Sequence, residues 1–199
     1  MNFPTKYIIE TNEIKLNAYR LISFFYSNKE VSRTRNTNHV TSGIEELESN
    51  FFFKEVSRLL IQIAISIRVL DDQMKSLDST SEVKIKYDEY IEEYDLNGCM
   101  LFDDLNLRQT CNKIIHADSV QLSFQELRDG NHEIDDHNYF VWSEEVELSG
   151  NTELPKPKPI KWEHLSNYVQ LQGRWNNELW TCILDIESFV ETISMIPEI

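Results

Sequence analysis

The sequence predicts a mainly α, α+β fold: a helical bundle followed by a small C-terminal antiparallel β-hairpin element and a closing helix. Three observations predict it. Apolar residues recur at helical spacing through the first 117 positions, the period shifts toward two residues beyond position 118, and a helical stripe returns after Asp185. A chain of 199 residues fits one domain. The expected division is a bundle over 1–117, β-hairpins and a connector over 118–185, and a closing helix over 186–199 packed back on the bundle.

Thr5–Tyr26 reads as the first helix, with Ile14, Ala18, Leu21, Ile22 and Phe25 on one face. Ser27–Gly43 is polar, carries Arg33, Arg35 and His39, and reads as a mobile loop. Phe51–Lys75 is the strongest helix. Phe52, Val56, Leu59, Leu60, Ile63, Ile67, Leu70 and Met74 form one stripe, while Ile61, Ile65 and Val69 form a second apolar strip opposite. Two apolar sides place this helix at the bundle centre, with a dimer contact as the second option. Ser76–Asn97 supports either a helix, from Tyr87, Tyr90 and Tyr94, or a strand, from the alternation Val83–Tyr87. Phe102–Ala117 returns to helix, opened by Asp103 and Asp104. Gln121–Arg128 and Tyr139–Leu148 suit a hairpin around Asp129-Gly130. Gly150–Lys161, with three prolines, reads as an extended connector. Tyr168–Arg174 and Glu178–Leu184 form a second hairpin about Trp175-Asn176-Asn177. Asp185 is placed to cap a last helix that buries Ile186, Phe189, Val190 and Ile193.

Composition narrows the function classes. Asp and Glu number 34 against 19 Lys and Arg, for a formal charge of −15. That field disfavours anionic membranes and general duplex-DNA binding, which needs many phosphate-neutralising cations. It favours a basic partner protein and leaves room for a local basic patch. Cys99, Cys111 and Cys182 are odd in number, contain no CxxC and fit a reducing cytoplasm. No apolar run reaches the roughly 20 residues of a membrane span. The five glycines form no phosphate-cradling loop, and neither HExxH nor GxSxG occurs. Cys111 and His116 are poorly spaced for metal ligation, and Asp135-Asp136-His137 reads as a turn, so no metal site is expected.

The run Leu105–Ala117 carries the strongest chemical signal. Arg108, Asn112 and His116 stand at i, i+4 and i+8. Each step of four turns the side chain by about 40°, so the three make one slowly winding stripe. A guanidinium, an amide and an imidazole suit phosphodiester chemistry: charge stabilisation, orientation and proton transfer. The plain alternative is an ordinary helix surface whose final His caps the C-terminus. Arg68, Asp71 and Asp72, ending the central helix, could support Arg108 or His116 across the bundle, or form a solvated helix end.

The segment Leu107-Arg108-Gln109-Thr110-Cys111-Asn112-Lys113-Ile114-Ile115-His116-Ala117, following a long apolar helix, resembles the HEPN superfamily over roughly Phe51–Ala117. Members of that superfamily are helical bundles, often dimeric, and many are metal-independent ribonucleases of toxin–antitoxin or anti-phage systems. Their motif is Arg, a short spacer and His, with a polar residue often after the Arg. Asn112 and His116 match the polar residue and the His. Cys111 stands where the Arg would be, and Arg108 lies one turn upstream, lengthening the spacer to seven residues.

What the resemblance implies is an RNA-acting protein with no cofactor. His116 would activate or reprotonate a ribose 2′-oxygen, Arg108 would stabilise the phosphorane, Asn112 would position it, and a homodimer would join two stripes. Two non-enzymatic expectations stand beside it. One is an inactive acidic scaffold that holds a basic partner. The other is an accessory subunit docking through hairpin tryptophans, where Trp142, Trp162, Trp175 and Trp180 serve as base-stacking or, more commonly, core residues.

Overall fold

The computed structural model describes residues 9–38, 42–94, 99–126, 136–151, 154 and 163–198. Its elements are α1 (Thr11–Asn38), α2 (Ser42–Leu47), a π-helical segment (Glu48–Phe52), α3 (Phe53–Lys75), α4 (Glu82–Tyr94), β1 (Met100–Leu101), α5 (Leu107–Ile115), β2 (Ala117–Glu126), α6 (Asp136–Ser149), β3 (Glu163–Trp175), β4 (Glu178–Asp185) and α7 (Ile186–Ser194). The fold is therefore α+β and mainly helical, with one four-stranded antiparallel sheet in the order β1-β4-β3-β2.

Helix α3 buries Val56, Leu59, Leu60, Ile63, Ala64, Ile67, Leu70 and Met74, the stripe its sequence marks. Each fully buried Leu or Ile there contributes about 1.5–3 kcal/mol. The opposite strip is not buried: Ile61, Ile65 and Val69 are 43%, 46% and 40% exposed. Within the chain α3 thus lines the core on one side only, which corrects its placement at the bundle centre. Helix α1 continues through the expected loop Ser27–Gly43 as far as Asn38. Its inner face, Ile14, Ala18, Leu21 and Phe25, is prolonged by the buried polar residues Asn28 and Ser32. Asn28 is satisfied on both sides of its amide: Oδ1 accepts from the Leu165 backbone N–H at 2.9 Å and Nδ2 donates to Glu48 at 2.6 Å. One buried polar side chain therefore ties α1 to β3 and to the π-helical segment.

The open alternative over Ser76–Asn97 resolves as helix through Tyr94. Tyr87 and Tyr90 are buried, and the Tyr90 hydroxyl donates to the Thr192 carbonyl at 3.1 Å, joining α4 to α7. The fifth helix is shorter than expected. It starts at Leu107 under a capping box in which Asn106 accepts from the Gln109 N–H and the Gln109 side chain accepts from the Asn106 N–H. Asp103 and Asp104 lie in the loop before it, and Phe102 holds φ 69° at the end of β1.

Tyr139–Leu148 is the clearest correction, because it lies within helix α6 rather than in a returning strand. Gly150, at φ 64°, follows that helix, and its N–H donates to the Val146 carbonyl. Strand β2 instead pairs with β3, and β3 with β4, through a two-residue turn in which Asn176 and Asn177 hold φ 50° and 67°. Asp129-Gly130, most of the proline connector, Trp162, Asp135 and the first eight residues lie outside the described residues.

The sheet has one core face and one polar face. On the core face, cross-strand rows run Trp180–Gly173–Ala117, Cys182–Leu171–Val120 and Leu184–Val169–Leu122. Gln121, Gln170, Gln172 and Thr181 occupy the other. A bulge in β3 is fastened by Ser166, whose hydroxyl donates to the Ser123 carbonyl and accepts from the Tyr168 N–H. Asp185 caps α7 by accepting from the Glu187 N–H. Helix α7 lays Ile186, Phe189 and Ile193 into the core shared by the helices and the sheet, and packs against α1.

Candidate functional site

The Arg108–Asn112–His116 stripe divides between two places. Arg108 faces α3, where it pairs with Asp71 and, at 2.7 Å, with Asp72. Asp71 is itself buried and also takes Lys75 at 2.8 Å. Burial works against the Arg108 charge, but hydrogen bonds to Asp72 and Asp71 outweigh it and hold the guanidinium above its ordinary value. Its donors therefore brace α5 against α3 instead of pointing along the stripe. Asp71 and Asp72 support Arg108 in this pair; neither lines the groove that holds His116.

Asn112 and His116 belong to a different surface. They line an open groove of about 470 Å³ with Arg68 of α3, Lys113 and Gln109 of α5, Leu105, and Trp175 and Trp180 of the β3–β4 hairpin. From sequence Arg68 is expected only to support the stripe, but in the structure it is the arginine that lines a groove with His116. Its Nε is buried and has no hydrogen-bond partner among the described residues. A buried donor without an acceptor is costly, while the rest of the half-buried Arg68 side chain lines the groove.

Each member is held by the fold. His116 is the C-cap of α5: its N–H donates to the Asn112 carbonyl at 3.0 Å, and its exposed ring sits at the junction where α5 turns directly into β2. Lys113 stands over Trp180, with Nζ 4.2 Å from the ring centroid, a contact worth about 0.5–2 kcal/mol that also fixes the ammonium. Trp180 can lie flat because its strand partner is glycine. A Cβ on Gly173 would come within 2.3 Å of Trp180 Cζ2 and 2.7 Å of the His116 carbonyl oxygen.

The groove thus gathers a guanidinium, an ammonium, an imidazole and two side-chain amides beside two indoles, on a chain whose overall charge is −15. Such a set can hold a phosphate, orient its oxygens and move a proton. Sequence spacing missed Lys113 and the role of Arg68. Lys113 is one residue from Asn112 and so off the i, i+4 stripe, and Arg68 comes from a helix 40 residues earlier. The usable signal was Trp175 and Trp180 flanking a tight turn.

The three thiols are buried. Burial pushes Cys182 up to about 11 and Cys111 higher still, which makes both poor nucleophiles. Among the described residues no group of three or more His, Cys, Asp or Glu side chains is arranged to hold a metal, and no helix is long and apolar enough to cross a membrane. No protein-family model, curated protein or solved structure matches the chain.

Proposed function

We propose that the protein acts on RNA as a HEPN-like, metal-independent endoribonuclease of the toxin–antitoxin or anti-phage kind, working from the Arg68–Asn112–Lys113–His116 groove. The observation that carries this reading is the convergence of these four side chains on one open surface. Arg68 replaces Arg108 in the role that the motif would give its arginine. In the reaction, His116 takes the proton of a ribose 2′-hydroxyl, the O2′–P bond forms as the P–O5′ bond breaks, and the leaving 5′-oxygen takes a proton from water. Arg68 and Lys113 stabilise the charge on the phosphorane, and Asn112 orients one of its oxygens. The products are a 2′,3′-cyclic phosphate and a 5′-hydroxyl.

The test is cleavage of a labelled RNA in excess EDTA. Activity should persist, fall by about 10²–10⁴-fold in His116→Ala, fall comparably in Arg68→Ala, and remain in the folded fraction of Arg108→Ala. Intact RNA after long incubation with the pure protein would sink the enzymatic reading.

The exposed Ile61–Ile65–Val69 strip favours a second reading, in which the chain is a non-enzymatic scaffold: the strip seats an apolar patch of a partner, and the −15 charge selects a basic one. Retention of such a partner by His116→Ala and its loss in Ile65→Asp would support it.

A further inference from the structure

We infer that Trp175 is the stacking platform for an unpaired nucleobase, so that the ligand of the groove is single-stranded RNA held by one base and its neighbouring phosphate. This rests on the RNA reading above. Of the two groove indoles, Trp180 is already occupied: the Gly173 backbone lies against its ring and the Lys113 ammonium stands over it. Trp180 is therefore a wall that aims a cation. Trp175 is 68% exposed and forms the last residue pair of the hairpin with Glu178, next to the Asn176-Asn177 turn. Parity along β3 puts it on the same face as Gly173, toward the groove it lines. A large indole left in water at a tight turn adds little to the core, while its π-face is available to any base regardless of sequence.

The neighbours narrow the ligand. Arg68 and Lys113 are suited to one or two phosphates, and on a chain of net charge −15 an anionic strand is favoured only where such cations gather. A base within a duplex has both faces stacked, and freeing one costs a few kcal/mol. A flexible single strand offers a base and a phosphate together without that cost. The groove volume, about 470 Å³, lies within the small-ligand range of roughly 300–1,000 Å³.

The test uses the full chain and a short fluorescent 2′-O-methyl oligoribonucleotide, which cannot be cleaved because its 2′-oxygen is blocked. Anisotropy titrations compare it with its blunt duplex and with a strand made abasic at successive positions. Trp175→Ala should weaken single-strand binding by roughly 5- to 150-fold, and Trp175→Phe should retain most of the affinity. The substitution should not affect a strand abasic at the stacked position, whereas Arg68→Ala should weaken intact and abasic strands alike. Trp175→Ala binding as tightly as wild type while Arg68→Ala binds weakly would overturn the platform and leave the RNA reading standing. Wild-type protein that binds no strand at all would overturn both. Equal binding of duplex and single strand would overturn the single-strand assignment.

Discussion

Gly173→Ala probes the packing beneath the groove, where Trp180 meets the α5–β2 junction. The added methyl would lie 2.3 and 2.6 Å from two Trp180 ring atoms and 2.7 Å from the His116 carbonyl oxygen. None of these neighbours is the free end of a flexible chain, since the indole lies under Lys113 and the carbonyl belongs to the α5–β2 junction. Forced insertion into a packed site costs about 1–3 kcal/mol. Displacing the ring adds about 0.5–1 kcal/mol for the lost Lys113 contact. Removing a glycine from the unfolded chain returns about 0.4–1 kcal/mol. The net expectation is a loss of about 2 kcal/mol, or roughly 4–8 °C in Tm for a chain of this size. Urea denaturation followed by far-UV circular dichroism gives the number. A Trp180→Ala background removes the indole clash but not the carbonyl one, so the double variant should be more stable than the sum of the singles by about 1 kcal/mol. An unshifted midpoint for Gly173→Ala, or strict additivity, would refute the packing described for Trp180.

Three further expectations separate brace from site and strain from packing. Arg108→Ala leaves the buried Asp71 carboxylate with Lys75 in place of two cations; because Arg108 is about one-third exposed, the loss should be about 1–3 kcal/mol rather than that of a fully buried pair, and Arg108→Ala/Asp71→Asn should recover part of it in the same melt. Phe102→Gly should stabilise by about 0.5–1 kcal/mol, since Phe102 holds φ 69° with 94% of its surface exposed; a destabilised variant would show that the ring packs on something. The raised Cys182 pKa sets an alkaline limit: from about 9 to about 11 the unfolded thiol has lost its proton while the folded one keeps it, so unfolding free energy should fall across that window, and Cys182→Ser should flatten the slope.

Much of the helical frame was legible because it is written in apolar period: the α3 stripe, the inner face of α1 to Phe25 and the buried face of α7 all follow it. The Asn176-Asn177 turn and the Asp185 cap were legible from local chemistry. The end of α1 was not, because its inward face changes from apolar to polar at Asn28 and Ser32, and hydropathy is blind to a buried amide whose partners are distant in sequence. Tyr139–Leu148 misled through its β-prone aromatic residues, although Gly150 marked a helix end. At the site, reading along one helix overvalued Arg108. Two steps of four separate Arg108 from His116 by about 80°, enough for α3 to capture the arginine while the hairpin meets the histidine.

The junction at His116 fixes more than a side chain. One residue there separates helical backbone from a strand whose partner, Gly173, leaves room for the same carbonyl only by lacking a Cβ. An inserted or deleted residue between α5 and β2 would swing the imidazole by about 100° and invert the faces of β2. The spacing from Asn112 to Ala117 is therefore an indel-intolerant ruler: drift in its length would dismantle groove and sheet together, while residues along it could still be exchanged singly.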